Sequence, residues 1–297
     1  MYLIPQPKNI EFGEPGSHFT LSYGSYVVLE PSCGEKLTAQ AKLAVEALKE
    51  ELGFAPALTR GTGRPGDVIL SQSEEMAPQS YRLTVDEKNV RITGGEAGVW
   101  YGCQTLLQMA AQCGAVLPAV TIEDEPDIPN RGFYHDITRG RVPKLSFLKK
   151  MADKMAYYKM NQLQLYIEHT FLFRDFSEIW RDDTPLTAAE ILELDRYCAE
   201  RGIELVPSLS CFGHLYKVLS SQGYSHLCEL EDSEKMPFSL RGRMHHHTIN
   251  VTDPESLEFI KGKIAEFMPL FTSKQFNIWH RLHKPDGSYR QQIFTVF

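Results

Sequence analysis

Arg131, His135, Asp136 and Arg139 fall within nine residues, in the run Arg131-Gly132-Phe133-Tyr134-His135-Asp136-Ile137-Thr138-Arg139. Two cations, an imidazole and a carboxylate around a short alternating segment are the layout of a strand that delivers polar groups to a pocket. Two further sets follow it. Glu168-His169 closes a second alternating run, and Ser208, Ser210 and His214 follow a third. Taken alone, each set fits either a pocket or an ion-paired strand end. Asp136 suits holding the strand end and its neighbouring arginine better than chemistry, and Glu168 and His169 suit pocket and salt bridge equally.

The elements that must position these groups change rhythm along the chain. In residues 1–122, a helix is expected from Lys36 to Leu52, with Leu37, Ala41, Ala44, Val45, Leu48 and Leu52 on one face and Gly53 as the stop. Strands are expected at Tyr26–Leu29, Val68–Leu70, Tyr81–Val85 and Val90–Thr93, the last two joined as a hairpin by Asp86-Glu87-Lys88-Asn89. A second helix begins at Gly98. Residues 123–130 read as a linker.

From about residue 131 strands and helices alternate. Strand one is Gly132–Ile137. Helix one runs from about Lys144 to Tyr158, with Leu145, Leu148, Met151 and Met155 inward. In strand two, Gln162–Glu168, the apolar Leu163, Leu165 and Ile167 alternate with polar neighbours. Helix two opens on the capping box Thr187-Ala188-Ala189-Glu190 and closes at Gly202. Strand three is Ile203–Leu209. Helix three has Asp253 then Pro254, with Leu257, Ile260, Ile264 and Phe267 on one side. Strand four is Gln275–Ile278. Repeated strand–helix units imply a parallel sheet or barrel, and barrels place chemistry at the C-terminal ends of their strands. No glycine-rich phosphate loop follows any strand, which argues against a dinucleotide fold.

Composition excludes several classes. The net charge of 31 − 38 = −7 disfavours nucleic acid and anionic membrane surfaces as partners. No apolar run reaches a membrane span, and Met1–Pro7 lacks the charged and apolar regions of a secretory signal, so a cytoplasmic location is expected. Six scattered cysteines without a Cys-x-x-Cys pair read as reduced thiols.

The segment from Arg131 onward resembles the family-20 glycoside hydrolases, the β-N-acetylhexosaminidases. Four patterns carry the likeness: Arg131-Gly132-x-x-x-Asp136-x-x-Arg139; Met155-Ala156-x-x-Lys159-Met160-Asn161-x-Leu163; Pro207 through Gly213-His214; and Phe271 through Phe276-Asn277-Ile278. Ile4-Pro5-Gln6-Pro7, Gly102-x-Gln104-Thr105-Leu106 and Ile122-x-Asp124-x-Pro126 are similar to the non-catalytic α+β domain that precedes that family's barrel. The resemblance implies an α/β fold: a small α+β domain (1–122), then about four βα units of a TIM-type barrel (131–278), with an atypical tail (279–297). It implies removal of a terminal β-linked N-acetylhexosamine from a carbohydrate substrate by retaining hydrolysis. The sugar's own acetamido oxygen attacks, a glutamate protonates the leaving oxygen and an aspartate orients the acetamido group. By position in the motif, Arg131 would bind the sugar hydroxyls through its fork of donors and His214 would line the pocket, with Glu168 and His169 as further pocket groups and Asp136 and Arg139 supporting them. No metal or cofactor is implied.

Some positions depart from the family pattern. Its Asp-Glu pair follows strand four, whereas this chain reads Trp279-His280-Arg281-Leu282-His283-Lys284 after Ile278. Asp286 lies in a turn-like stretch. The expectation is therefore a hexosaminidase-like chain, truncated or frame-disrupted before its acid/base pair and impaired in turnover, or else a carbohydrate-binding remnant. His169 stands where the family has an acid, and Ser208, Ser210 and Phe212 where it often has Glu, Asp and Pro. A metal hydrolase using His169, His214 and His245-His246-His247 is a third reading. Adjacent histidines in a strand face opposite ways, so with Arg241 and Arg243 nearby a solvated loop is expected there. Asp182-Asp183 and Glu231-Asp232 are expected to face solvent. Trp180 and Tyr166 suit either sugar stacking or core packing, and Cys211 has no partner histidine at a telling spacing.

Overall fold

Local signals set many of the elements where the sequence places them. A computed structural model describes residues 1–180, 184–237, 239, 247–283 and 289–296. The pair Asp182-Asp183, the stretch Arg241 to His246 and Asp286 lie outside the described residues. The chain divides into two compact units. The first comprises Met1–Arg131 with Asp153–Asn161 and Glu200–Gly202; the second comprises Gly132–Ala152 with Gln162–Ala199 and Ile203–Phe297.

The first unit is built on β1 (Asn9–Phe12), β3 (Tyr26–Leu29), β4 (Ala57–Arg60), β5 (Val68–Gln72), β6 (Tyr81–Val85), β7 (Val90–Gly94) and β9 (Val120–Asp124). They form one mixed sheet in the order β1-β9-β6-β7-β5-β3-β4. A small pair, β2 (His18–Thr20) with β8 (Val116–Pro118), stands apart. Helix α1 (Glu35–Leu52) ends at Gly53, whose left-handed φ of 77° lets its N–H reach Lys49 O. Helix α2 (Gly98–Cys113) is buried along most of its length. It starts against β6: a Cβ on Gly98 would lie 1.8 Å from Ser80 O, so only glycine fits.

One buried charge pair sits inside this unit. Lys159 Nζ donates to Tyr81 OH (2.8 Å) and to Asp124 Oδ2 (3.1 Å), and Tyr81 OH meets Thr105 Oγ1 at 2.7 Å. Burial pulls the Lys159 ammonium below its ordinary value of 10.5, an effect that Asp124 opposes.

The second unit is the partial barrel. Strands β10 (Gly132–Asp136), β11 (Gln162–Tyr166) and β12 (Glu204–Val206) form one parallel set. Strands β13 (Ser208–Ser210), β14 (Phe276–His283) and β15 (Tyr289–Val296) form a mixed set, with β13 parallel to β14. A parallel bridge between Ile167 and Leu209 joins them. The third expected strand is thus two short ones. Pro207 lies at the break; it has no N–H to give a ladder, and its carbonyl instead accepts from Asn277 N at 2.8 Å. The fourth strand also differs. It continues past Ile278 to His283 and turns back as an antiparallel hairpin with β15.

The helices of this unit are α3 (Leu145–Tyr157), α4 (Ala188–Glu200), the short α5 (Tyr216–Leu219) and α6 (Pro254–Phe267). Thr187 and Glu190 form the reciprocal capping box on α4, with Thr187 N to Glu190 Oε2 at 2.9 Å and Glu190 N to Thr187 Oγ1 at 3.2 Å. Asp253 caps α6 through Glu255 N at 2.9 Å. The buried stripe of α6 does not follow all the apolar residues on that side. Leu257 is 56% exposed, while Ser256, Ile260, Lys263 and Phe267 are buried. Lys263 Nζ lies 4.5 Å from the ring centre of Phe176 and 5.2 Å from that of Phe173, and an ion pair with Asp175 at 3.5 Å completes its surroundings. A lysine stem on aromatic faces is a stable way to bury that position.

Candidate active site

Strand alternation sorts the polar residues of the barrel before any contact is counted. On β10, Tyr134 and Asp136 share one face while Phe133 and His135 share the other. The rings of Phe133 and His135 stack at 5.9 Å, and His135 also meets Phe147 at 6.5 Å. On β11 and just beyond it, Gln162, Gln164, Tyr166 and Glu168 share a face. Gln164 Oε1 accepts from Asn277 Nδ2 (2.8 Å), and Tyr134 OH meets Ser208 Oγ at 2.9 Å. The inner face of these strands is therefore polar and internally bonded.

At the C-terminal ends of the strands one cluster forms. Asp136 Oδ1 accepts from Thr138 N (2.9 Å) and Arg139 N (3.0 Å), so the chain turns sharply out of β10. Its Oδ2 accepts from Arg139 Nη1 at 3.0 Å. The guanidinium, 53% exposed, rests 5.0 Å above the Tyr166 ring. Tyr166 OH donates to Glu168 Oε1 at 2.8 Å and accepts from Ser210 Oγ at 3.2 Å and Arg139 Nη2 at 3.4 Å. Glu168, only 3% exposed, lies with Oε1 3.7 Å from Arg139 Nη2 and 3.9 Å from His214 Nδ1. Glu168 N is held by Thr138 Oγ1 at 3.1 Å. His214 sits at φ 59°, a left-handed turn that sets its imidazole edge-on to Tyr166 at 6.3 Å. Burial raises the Tyr166 phenol above its ordinary 10.0, with the Glu168 charge adding to the effect. It stays a neutral hydrogen-bonding group at physiological pH.

The structure thus brings together Asp136, Arg139, Glu168 and His214, with His169 buried one residue beyond Glu168. Arg131, the other residue the sequence named as a sugar contact, stands before β10 rather than after it. Arg131 precedes the first residue of β10 and belongs to the first unit. A five-residue strand, rising about 3.3 Å per residue, separates it from the turn that carries Arg139. Its guanidinium donates to Lys159 O (2.9 Å), Gln79 Oε1 (2.8 Å) and Ile128 O (2.8 Å), and lies 5.2 Å from the Tyr101 ring centre. Those contacts engage its Nε and Nη1. Tyr166 is the member whose role the sequence left undecided. The signal was its place on the same strand face as Glu168.

Other suspected groups fall elsewhere. Trp180 Nε1 donates to Phe173 O at 3.4 Å. His247 is buried against Tyr216, with ring centres 4.5 Å apart. Burial pushes the Cys211 thiol up to about 12, so it stays protonated. The six cysteines carry free thiols. Among the described residues no cluster of three or more His, Cys, Asp or Glu side chains is placed to hold a metal, and no helix is long and apolar enough to cross a membrane. A cleft of about 720 Å³ lies in the first unit, lined by Lys8, Arg82, Arg91, Glu123 and Asp124 among others. Its cations already face carboxylates: Lys8 pairs with Asp127 (2.8 Å), Arg91 with Glu30 (3.2 Å) and Arg82 with Glu123. It is a self-neutralised surface, so the strand-end cluster is the better candidate.

Comparison with known proteins adds to this geometry. Residues 1–125 match the model of glycosyl hydrolase family 20, domain 2, and residues 129–280 match that family's catalytic domain. A beta-hexosaminidase of Akkermansia muciniphila is 31% identical over 212 residues, which cover 63% of this chain and 41% of that protein. A beta-hexosaminidase of Vibrio furnissii is 28% identical, covering 71% of this chain and 38% of that one. The chain therefore spans about two fifths of the length of these relatives. The solved β-N-acetylhexosaminidase of Streptomyces coelicolor superposes with a TM-score of 0.78 at 24% identity, covering 92% of this chain and 58% of that chain. This last likeness is one of fold.

Proposed function

This chain belongs to glycosyl hydrolase family 20, and from that premise we propose that its strand-end cluster receives the terminal β-linked N-acetylhexosamine of a glycan. The observation that carries the reading is the convergence of Arg139 and His214 on one buried carboxylate, Glu168, at the C-terminal ends of parallel strands. Arg139 takes the part that the motif alone assigned to Arg131. It is anchored on one side by Asp136 and Tyr166, and its exposed side presents N–H donors suited to adjacent hydroxyls. His214 offers a second polar wall whose charge Glu168 can balance.

In the hydrolytic reading, this wall holds the sugar while its acetamido oxygen displaces the leaving group with net retention, as in the exceptional glycosidases that use substrate assistance. That chemistry needs a proton donor beside the leaving oxygen. A specific observation favours a second reading, binding with impaired turnover: Trp279 and His280 follow Ile278 on β14, and no carboxylate occurs from 279 to 283.

Calorimetric titration with N-acetylglucosamine beside a chromogenic β-N-acetylglucosaminide assay tests both. Binding with turnover supports the hydrolase. Binding without turnover selects the second reading. No heat of binding up to millimolar sugar overturns the site itself.

A further inference from the structure

We propose that Tyr166 is the positioning residue of this site: its hydroxyl fixes Arg139 and Glu168 in the one arrangement that can take the sugar. The inference rests on the sugar-binding reading of the cluster and names the residue that organises it.

A phenol has one proton and two lone pairs. Tyr166 gives the proton to Glu168 Oε1 at 2.8 Å and receives Ser210 Oγ and Arg139 Nη2 at 3.2 and 3.4 Å. Those three contacts saturate it. At 2% exposure the residue cannot reach a ligand in any case. It therefore acts through others.

Its ring and its hydroxyl do different things. The ring is the platform for the Arg139 guanidinium at 5.0 Å and the wall for the His214 imidazole at 6.3 Å. The hydroxyl sets direction. It draws Arg139 Nη2 inward while Asp136 holds Nη1, so two pins fix the plane of the guanidinium. It also holds Glu168 Oε1, the oxygen that faces both Arg139 and His214. Without the hydroxyl, Arg139 keeps its platform but loses its second pin. Glu168 Oε1 loses the Tyr166 hydroxyl and is drawn toward the nearer cation, Arg139. The guanidinium edge that should face the sugar is then drawn into an ion pair. Preorganisation of this kind contributes to affinity because the unbound site has little left to order.

The test is a pair of matched deletions in the 297-residue chain. Tyr166→Phe removes the hydroxyl and keeps the ring. Tyr134→Phe removes a half-buried hydroxyl of the same barrel, the one bonded to Ser208 at 2.9 Å. A merely structural role for Tyr166 predicts that the two variants behave alike. The positioning role predicts similar melting temperatures for both, with N-acetylglucosamine affinity falling at least tenfold in Tyr166→Phe and staying within twofold of wild type in Tyr134→Phe. Tyr166→Leu, which removes the platform as well, is expected to bind more weakly than Tyr166→Phe. Wild-type affinity in a folded Tyr166→Phe overturns the inference alone, as does equal loss in both phenylalanine variants. Absence of binding by wild-type protein overturns this inference together with the reading beneath it.

Discussion

Glu168 decides the electrostatics of the site. Its side chain is nearly inaccessible, yet it stays within 4 Å of two groups that carry or can carry positive charge, at 3.7 and 3.9 Å. In such a setting a carboxylate is worth more than at the surface, because low local polarisability strengthens each interaction. Glu168→Gln keeps the shape and one acceptor oxygen but removes the charge. The guanidinium of Arg139 would then lose its buried counter-charge. N-acetylglucosamine affinity is expected to fall about tenfold, or about 1.4 kcal/mol. Calorimetry of the folded variant checks this, and an unchanged dissociation constant would count against the charge-balancing role.

At the scale of elements, the Lys159–Asp124–Tyr81 cluster ties β6 and β9 to the segment that leads toward β11. Lys159 sits at φ 59°, an uncommon backbone state for a side chain of its size. Removing only one partner of a buried pair leaves the other charge uncompensated, which costs on the order of 3 kcal/mol. Lys159→Met should therefore destabilise more than the double variant Lys159→Met/Asp124→Asn, and denaturant unfolding of the four-member cycle measures the coupling. The pH dependence has a definite sign. Burial depresses the folded-state value below 10.5, so within that window the unfolded chain holds a proton that the folded one has released. Stability contributed by this residue thus rises with pH through the window. The gap between wild type and Lys159→Met should widen as pH approaches 10.5; a narrowing gap would contradict the assignment.

The same elements show what could be read in advance. Thr187–Glu190, Asp253–Pro254 and Gly53 are signals between residues a few positions apart, and each operates where it was expected. The misses depend on distant chain. Pro207 could have warned that the third strand breaks, but only β14 shows where its carbonyl goes. The buried stripe of α6 passes through Lys263 rather than Leu257 because Phe173 and Phe176 come from elsewhere to accept it. The arginine motif could not say which end of its strand faces the site. That needed the strand direction and the polar partners already satisfied around Arg131.

For the molecule as a whole, the feature with consequence is the outer side of β10. This strand bonds β11 on one side and, among the described residues, no strand on the other. Unpaired edges template association, and natural sheets blunt them with charge, especially lysine. Here the edge carries Phe133, 43% exposed, beside His135, with Phe147 of α3 53% exposed next to it. The net charge of −7 gives general repulsion between molecules, but that repulsion is screened within about 8 Å at physiological salt. Contact between two apolar strand edges acts at shorter range than that, so screening leaves it intact. Self-association is therefore expected to grow with ionic strength. Phe133→Lys places a charge on the edge and, because the side chain points away from the inner polar face, leaves Tyr134 and Asp136 in position. Light scattering over a salt and concentration series should show less association for Phe133→Lys than for wild type, with an unchanged melting temperature. Equal scattering from both proteins would mean that this edge is not where the molecules meet.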